Sequence, residues 1–190
     1  VALCAPCHNQ HDTVDEWMDA PEDLKGENCN HCHMPVVMRS GREGRDHTCY
    51  GGHSREFLLN AFSLFHEVKD GTLVVRVKND QCAHNFPTDS RHRALDLIVT
   101  FYRKGGLPLK AEDREREYGQ EPGTHRLRFR NPYRSETGKE NTQIPAGKEG
   151  VLEAPIPSGT EKALIQLVYK LTPFMLDEDG EELVHREIVF

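Results

Sequence analysis

The second half of the chain alternates. In "TLVVRVK" (72–78), Leu73, Val75 and Val77 stand between Thr72, Arg76 and Lys78, the period of two that puts one face of a strand on a core. "ALDLIVTFYR" (94–103) repeats it, with Leu95, Leu97, Val99 and Phe101 set against Asp96, Thr100 and Arg103. "EGVLEAPI" (149–156), "ALIQLVYKL" (163–171) and "ELVHREIVF" (182–190) read as further strands, punctuated by Gly and Pro. Asp70-Gly71 is a turn signal ahead of the first. Short strands with almost no helical pattern between them predict an antiparallel, immunoglobulin-like β-sandwich over 67–190. The charged, Gly/Pro-rich stretch 104–147 is expected to hold long loops, a short helix near 111–118 and one strand around 125–130.

Ahead of the alternation, "SREFLLNAFSLFH" (54–66) spaces Phe57, Leu58, Ala61, Phe62 and Phe65 as on a helix, with Ser54 as its N-cap. Residues 1–52 have neither period. They are rich in Cys, His, Gly, Asn and Asp, and such a segment cannot bury enough apolar side chain to fold alone. A cofactor or metal is expected to supply its core. The fold class expected is therefore α+β, with a loop-rich region over 1–66 carrying one amphipathic helix, then the sandwich.

Composition narrows the function. The formal charge of −7 argues against nucleic-acid binding, and no apolar run is long enough to span a membrane. The basic stretch "HRLRFRNPYR" (125–134) is expected to be a solvated face. No signal peptide is visible, and a chemical motif this close to Val1 suggests a mature or trimmed chain. Of the 11 histidines, nine precede residue 93, so the chemistry is expected in the first half.

That chemistry centres on two Cys-x-x-Cys-His motifs, "CAPCH" with Cys4, Cys7 and His8, and "CNHCH" with Cys29, Cys32 and His33. Covalent haem c needs two thiols spaced for the two vinyl groups of a porphyrin edge and a histidine directly after them for the iron. Zinc is the rival reading, because two Cys-x-x-Cys knuckles resemble a zinc ribbon. A ribbon, however, requires neither histidine. A thioredoxin-like dithiol lacks its βαβ setting. Two covalent haems c are the stronger expectation, and 1–66 becomes a haem-binding region.

The run "CAPCHNQHDTVDEW…GENCNHCHMP", then "HTCYGGHS", then "AHNFPTDSRHRALDLIVTF" resembles multihaem c-type cytochromes, in which a CHMP-type motif leads through a Gly-Gly-His turn into a C-terminal β-sandwich. The resemblance spans residues 4–103 and implies electron transfer outside the cytoplasm, in the periplasm, at the cell surface or beyond. Many such relatives carry more than two haems.

Electron-transfer haems usually close the sixth position with His or Met. The candidates are His47 and His53, flanking "TCYGG", His84 in "AHNFPT", and His11. Gly51 and Gly52 suit a close approach of backbone to a porphyrin. Met34 and Met38 are expected to pack rather than ligate, and His31, His66, His92, His125 and His185 to be exposed or hydrogen-bonded. Cys49 and Cys82 remain after the four haem thiols, and an even remainder outside the cytoplasm suggests a disulfide, worth about 3–4 kcal/mol by loop closure. Spare histidines and the absence of a Cys-x-x-Cys-Lys variant favour a bis-His electron carrier or wire module over an enzyme. The alternative is a small multihaem oxidoreductase with one open iron, acting on nitrogen oxyanions or hydroxylamine. Expected partners are redox proteins or neighbouring haem subunits, and the terminal strands suit a homo-oligomer or filament.

Overall fold

The computed structural model describes residues 4–9, 11–26, 28–88, 91–106 and 123–190. Four short helices open it: α1 (Ala5–His8), α2 (Thr13–Asp19), α3 (Glu22–Lys25) and α4 (Cys29–His33). A hairpin of β1 (Val36–Arg39) and β2 (Arg42–Arg45) follows, then α5 (Arg55–Leu59). The remaining strands are β3 (Ser63–Lys69), β4 (Thr72–Lys78), β5 (Ala94–Tyr102), β6 (Thr124–Phe129), β7 (Glu149–Pro155), β8 (Lys162–Lys170) and β9 (Glu181–Val189).

Two turns set register at the start. Asp70-Gly71 has φ of +49° and +74°, so Lys69 pairs with Thr72 across a two-residue hairpin loop. Ser40-Gly41, at +50° and +76°, does the same for β1 and β2. The larger strands form two antiparallel sheets, ordered β3-β4-β7 and β6-β5-β8-β9. Leu73, Val75, Val77 and Ala154 from the first sheet join Leu95, Leu97, Val99, Phe101, Ile165 and Leu167 from the second in one core. Each such fully buried Leu, Ile or Val stabilises by about 1.5–3 kcal/mol relative to exposure. The architecture is α+β, and β4, β5, β7, β8 and β9 run where the alternation puts them.

The helix expected over 54–66 is shorter. Ser54 caps it, its hydroxyl accepting from the Phe57 N–H at 3.3 Å. Asn60 then ends it, and residues 63–69 extend to pair along the whole of β4. Leu58, Ala61 and Phe62 still reach the core, from the helix and from the turn after it. Phe65 instead lies on an exposed strand face. The ladder with β4 therefore crosses the division expected at 66. The region ahead of it is less loop-like than expected, since both Cys-x-x-Cys-His motifs lie in single helical turns. The helix expected near 111–118 lies outside the described residues.

The basic stretch at 125–134 is also not a solvated face. Arg126 and Arg128 on β6 bind Asp96 of β5, which is fully buried, with contacts of 2.7 Å from Arg126 Nη1 and 2.6 Å from Arg128 Nε. Lys170 of β8, also buried, lies 3.2 Å from Asp96. A strap over 171–180 closes the cluster. Asp177 accepts from Lys170 Nζ at 2.5 Å and from Arg126, and the Pro173 carbonyl accepts from Arg128. Burial alone would raise Asp96, but hydrogen bonds from Arg128 and the charges of Arg128, Arg126 and Lys170 hold it below the usual carboxylate range.

Candidate functional site

The first motif builds a helix-to-helix link. Cys4 accepts the backbone N–H of both Cys7 and His8, which closes the α1 turn. Asn9, directly after His8, then caps α2 from outside. Its Oδ1 accepts from the N–H groups of Val14 and Asp15 at 3.1 and 3.3 Å, in place of Asp12, whose side chain makes no cap bond. The motif is thereby fixed to α2. His8 is exposed and His11 is half-buried in the turn between the helices.

The second motif lies on α4, capped by Asn28, whose Oδ1 accepts from Asn30 N–H at 3.0 Å. Its chain leaves through Pro35 into the β1–β2 hairpin and returns where the Asp46 N–H meets the Pro35 carbonyl at 2.9 Å. Asp46 then orders the next turn, accepting from the N–H and hydroxyl of Thr48 and from the Tyr50 hydroxyl. The result is that the Tyr50 carbonyl accepts from His33 Nδ1 at 2.6 Å.

His84 meets this assembly from the other side. Its ring centre lies 6.2 Å from that of His33, and the two planes differ by 19°. Phe57 of α5 lies 5.1 Å from the His33 ring and 6.3 Å from Tyr50. His84 Nδ1 bonds the Asn85 carbonyl at 3.0 Å. A carbonyl only accepts, so Nδ1 carries a proton in both rings, and in the neutral imidazole Nε2 is then the acceptor nitrogen. This is the tautomer and the carbonyl contact typical of metal-binding histidine.

The loop carrying His84 is held from within. Asn79, fully buried at the end of β4, donates through Nδ2 to the His84 carbonyl at 2.8 Å and the Ile144 carbonyl at 2.9 Å. Its Oδ1 accepts from Cys82 N–H at 3.2 Å. From outside, Glu16 of α2 accepts from Asn85 N–H, Asn85 Nδ2 and the Thr88 hydroxyl at 3.1, 2.9 and 2.5 Å.

The two motifs adjoin. The Cys4 thiol hydrogen-bonds Cys29, and burial, then the Cys4 charge, raises Cys29 above its ordinary value. Cys82 is pushed up to about 12, first by burial and then by Cys32 beside it. Cys49 is exposed with φ +53°. Among the described residues, no three Cys, His, Asp or Glu side chains converge as a metal site, so four thiolates do not gather as a ribbon would need.

The other candidates separate by tautomer. His47 is exposed, and its Nδ1 donates to the Arg45 carbonyl at 2.9 Å, so that Nε2 is the acceptor nitrogen of the neutral ring. His53 instead turns Nε2 toward Arg93 Nη2 at 3.5 Å, where a cation occupies the lone pair. Gly52 answers to a different neighbour than a porphyrin, since a Cβ there would lie 2.3 Å from the Tyr169 hydroxyl. Sequence reasoning missed Tyr50, Phe57, Asn79 and Glu16. A polar residue ending the alternation of β4 was the available signal for Asn79.

The fold built around these motifs is shared with a solved multihaem cytochrome c. The solved structure that carries the likeness is a penta-haem cytochrome c552 from Thermochromatium tepidum, with a TM-score of 0.70 and 22% identity over 100% of this chain and 55% of that one. This chain spans about half the length of that cytochrome, and the likeness is one of fold. No family model matches the chain, and no curated protein does. No helix among the described residues is long and apolar enough to cross a membrane.

Proposed function

We propose that this chain transfers electrons as a c-type cytochrome with two covalently attached haems. Cys4 and Cys7 hold the first, with His8 as its axial ligand, and Cys29 and Cys32 hold the second, with His33. The observation that carries the reading is the ring pair of His33 and His84. Metal–imidazole bonds run at about 2.0–2.1 Å, so rings on opposite sides of one metal have centres roughly 6.3 Å apart. The observed 6.2 Å fits one iron between them. Haem c, when bound, supplies a one-electron iron couple whose potential follows its axial ligands and burial. The protein's part is to fix both imidazoles through the Tyr50 and Asn85 carbonyls, and to cover one side with Phe57.

For the first iron, His47 and His11 are the proposed partners of His8, and His47 has the suitable tautomer. His53 is set aside by its contact with Arg93. The contact of Cys4 with Cys29 supports a wire module, because it brings the two attachment points side by side. The location proposed is extracytoplasmic, and the partners are redox proteins or neighbouring haem subunits. The strand orders β3-β4-β7 and β6-β5-β8-β9 support an immunoglobulin-like sandwich as the scaffold. A Cys49–Cys82 bridge is also proposed. Its support is that Tyr50, next to Cys49, holds His33 while Cys82 lies beside Cys32. Non-reducing mass analysis that counts two alkylated thiols at Cys49 and Cys82 eliminates it.

A pyridine-haemochrome assay tests the main reading. Two haems per chain, low-spin in the ferric state and indifferent to cyanide, are expected. Cyanide binding by one iron favours the oxidoreductase instead, and no haem with bound zinc refutes both.

A further inference from the structure

Glu16 joins α2, the helix that follows the first motif, to the loop that carries His84. We propose that Glu16 is a positioning residue for the distal ligand His84, clamping its loop to the helix that follows the first motif. The proposal rests on His84 being the ligand opposite His33.

The geometry is one carboxylate facing three donors. Asn85 N–H, Asn85 Nδ2 and the Thr88 hydroxyl all point at Glu16, and an ionised carboxylate has acceptor sites for all of them. The Thr88 hydroxyl spends its proton on Glu16, so Thr13 is the donor in the 3.2 Å contact between Thr13 and Thr88. Two residues of α2, one turn apart, thus grip residues 85–88. Asn85 is the centre of this grip. Its carbonyl accepts from the His84 ring while its N–H and side chain are held by Glu16. A shift of Asn85 therefore turns the imidazole directly. The other hold on the loop, Asn79, acts on the His84 carbonyl and leaves the ring to Asn85.

The grip also links the sites. Asn9, beside His8, caps α2, and α2 carries Glu16 to the His84 loop, so the ligand of the second iron is oriented by the segment that holds the first. The surroundings show that this carboxylate is placed against resistance. Burial, and then the charge of Asp12, raises Glu16 above the ordinary carboxylate range despite the three donors.

The test compares the holoprotein with its Glu16→Gln, Glu16→Ala and His84→Ala variants. Low-temperature paramagnetic resonance reads the ring orientation at the second iron, with the first iron as internal control, and hydrogen exchange reads the Asn85 amide. Glu16→Ala is expected to speed that exchange by about tenfold or more, as the loss of a charge-assisted bond does. It should also shift or broaden the second-site signal while leaving the first in place. Glu16→Gln, which keeps one acceptor oxygen and nearly the same volume, should fall between, and it serves alone if the alanine variant does not accumulate. An unchanged signal and exchange within about twofold of wild type in Glu16→Gln and Glu16→Ala overturn the proposal. His84→Ala separates the two ideas. If it removes the second low-spin signal while Glu16 variants do nothing, the ligand reading stands and the clamp falls. If it changes no signal, the ligand reading falls and takes the clamp with it.

Discussion

The 19° between the planes of His33 and His84 is a quantity that iron bound between them, as proposed, would report. Near-parallel rings split the two iron d orbitals that overlap their π systems, whereas crossed rings leave them nearly degenerate. The oxidised second site should therefore give a rhombic low-spin resonance, with three resolved features, rather than a single highly anisotropic one. His84→Ala should convert it to a high-spin signal that cyanide restores to low spin. A residue-scale change elsewhere tests the Gly-Gly turn. A Cβ at Gly52 would lie 2.3 Å from the Tyr169 hydroxyl, and Tyr169 is buried in the core. Gly52→Ala should cost about 1–3 kcal/mol by overpacking, read as a lower urea midpoint, whereas Gly51→Ala, with only the Cys49 carbonyl at 4.0 Å, should cost much less. The two glycines stand side by side in the sequence, and only the structure tells the constrained one from the open one.

At the scale of elements, the ion cluster on the outer face of β5, β6 and β8 is the sharpest target. Asp96→Asn keeps the shape but leaves Arg126, Arg128 and Lys170 facing a neutral amide, and a broken buried pair costs about 3–5 kcal/mol in chemical unfolding. The strap adds a pH dependence. Burial alone would raise Asp177, but hydrogen bonds from Arg126 and Lys170 bring it to about 2 from an ordinary 3.8. A depressed carboxylate stabilises the fold above its unfolded pKa and ceases to as pH falls through its folded one. The strap's contribution should be complete above about pH 4 and lost toward pH 2, and Asp177→Asn should flatten that part of the urea-midpoint profile. The sequence made β4, β5, β7, β8 and β9 readable because their inner faces are apolar and their outer faces polar. It hid β3, because Phe57 through Phe65 fit a helical period until Asn60 interrupts it and the ladder with β4 takes over. It hid the buried role of Arg126 and Arg128, because a charge binding a buried partner looks in sequence like a charge in water. The two Cys-x-x-Cys-His motifs are legible because spacing alone defines them, but the approach of the His33 ring to His84 joins residues 51 positions apart and needs the fold.

Over the whole molecule, the two halves depend on different sources of cohesion. The two sheets bury a continuous apolar core drawn from both of them. The segment ahead of α5 holds a single buried hydrophobic residue among those described, Ala20. Its order comes from polar links such as Asn9 to α2 and Glu16 to the His84 loop, each worth about 0.5–3 kcal/mol net, and from the exposed turn that Asp46 orders. Such links cannot offset about 1–2 kcal/mol of backbone entropy for every residue fixed. The proposed covalent haem would add apolar surface where the side chains supply little, and would tie α1 and α4 to it. A chain with Cys4, Cys7, Cys29 and Cys32 all changed to Ser should therefore keep the two sheets and lose the helices. Hydrogen exchange should find amides of β4, β5 and β8 protected to a similar degree in both forms. Those of α1, α2 and α4 should be protected only with haem attached. Protection of α2 in the serine variant would show that Glu16 and Asn9 hold the region by themselves, and would move the haem from structural core to passenger.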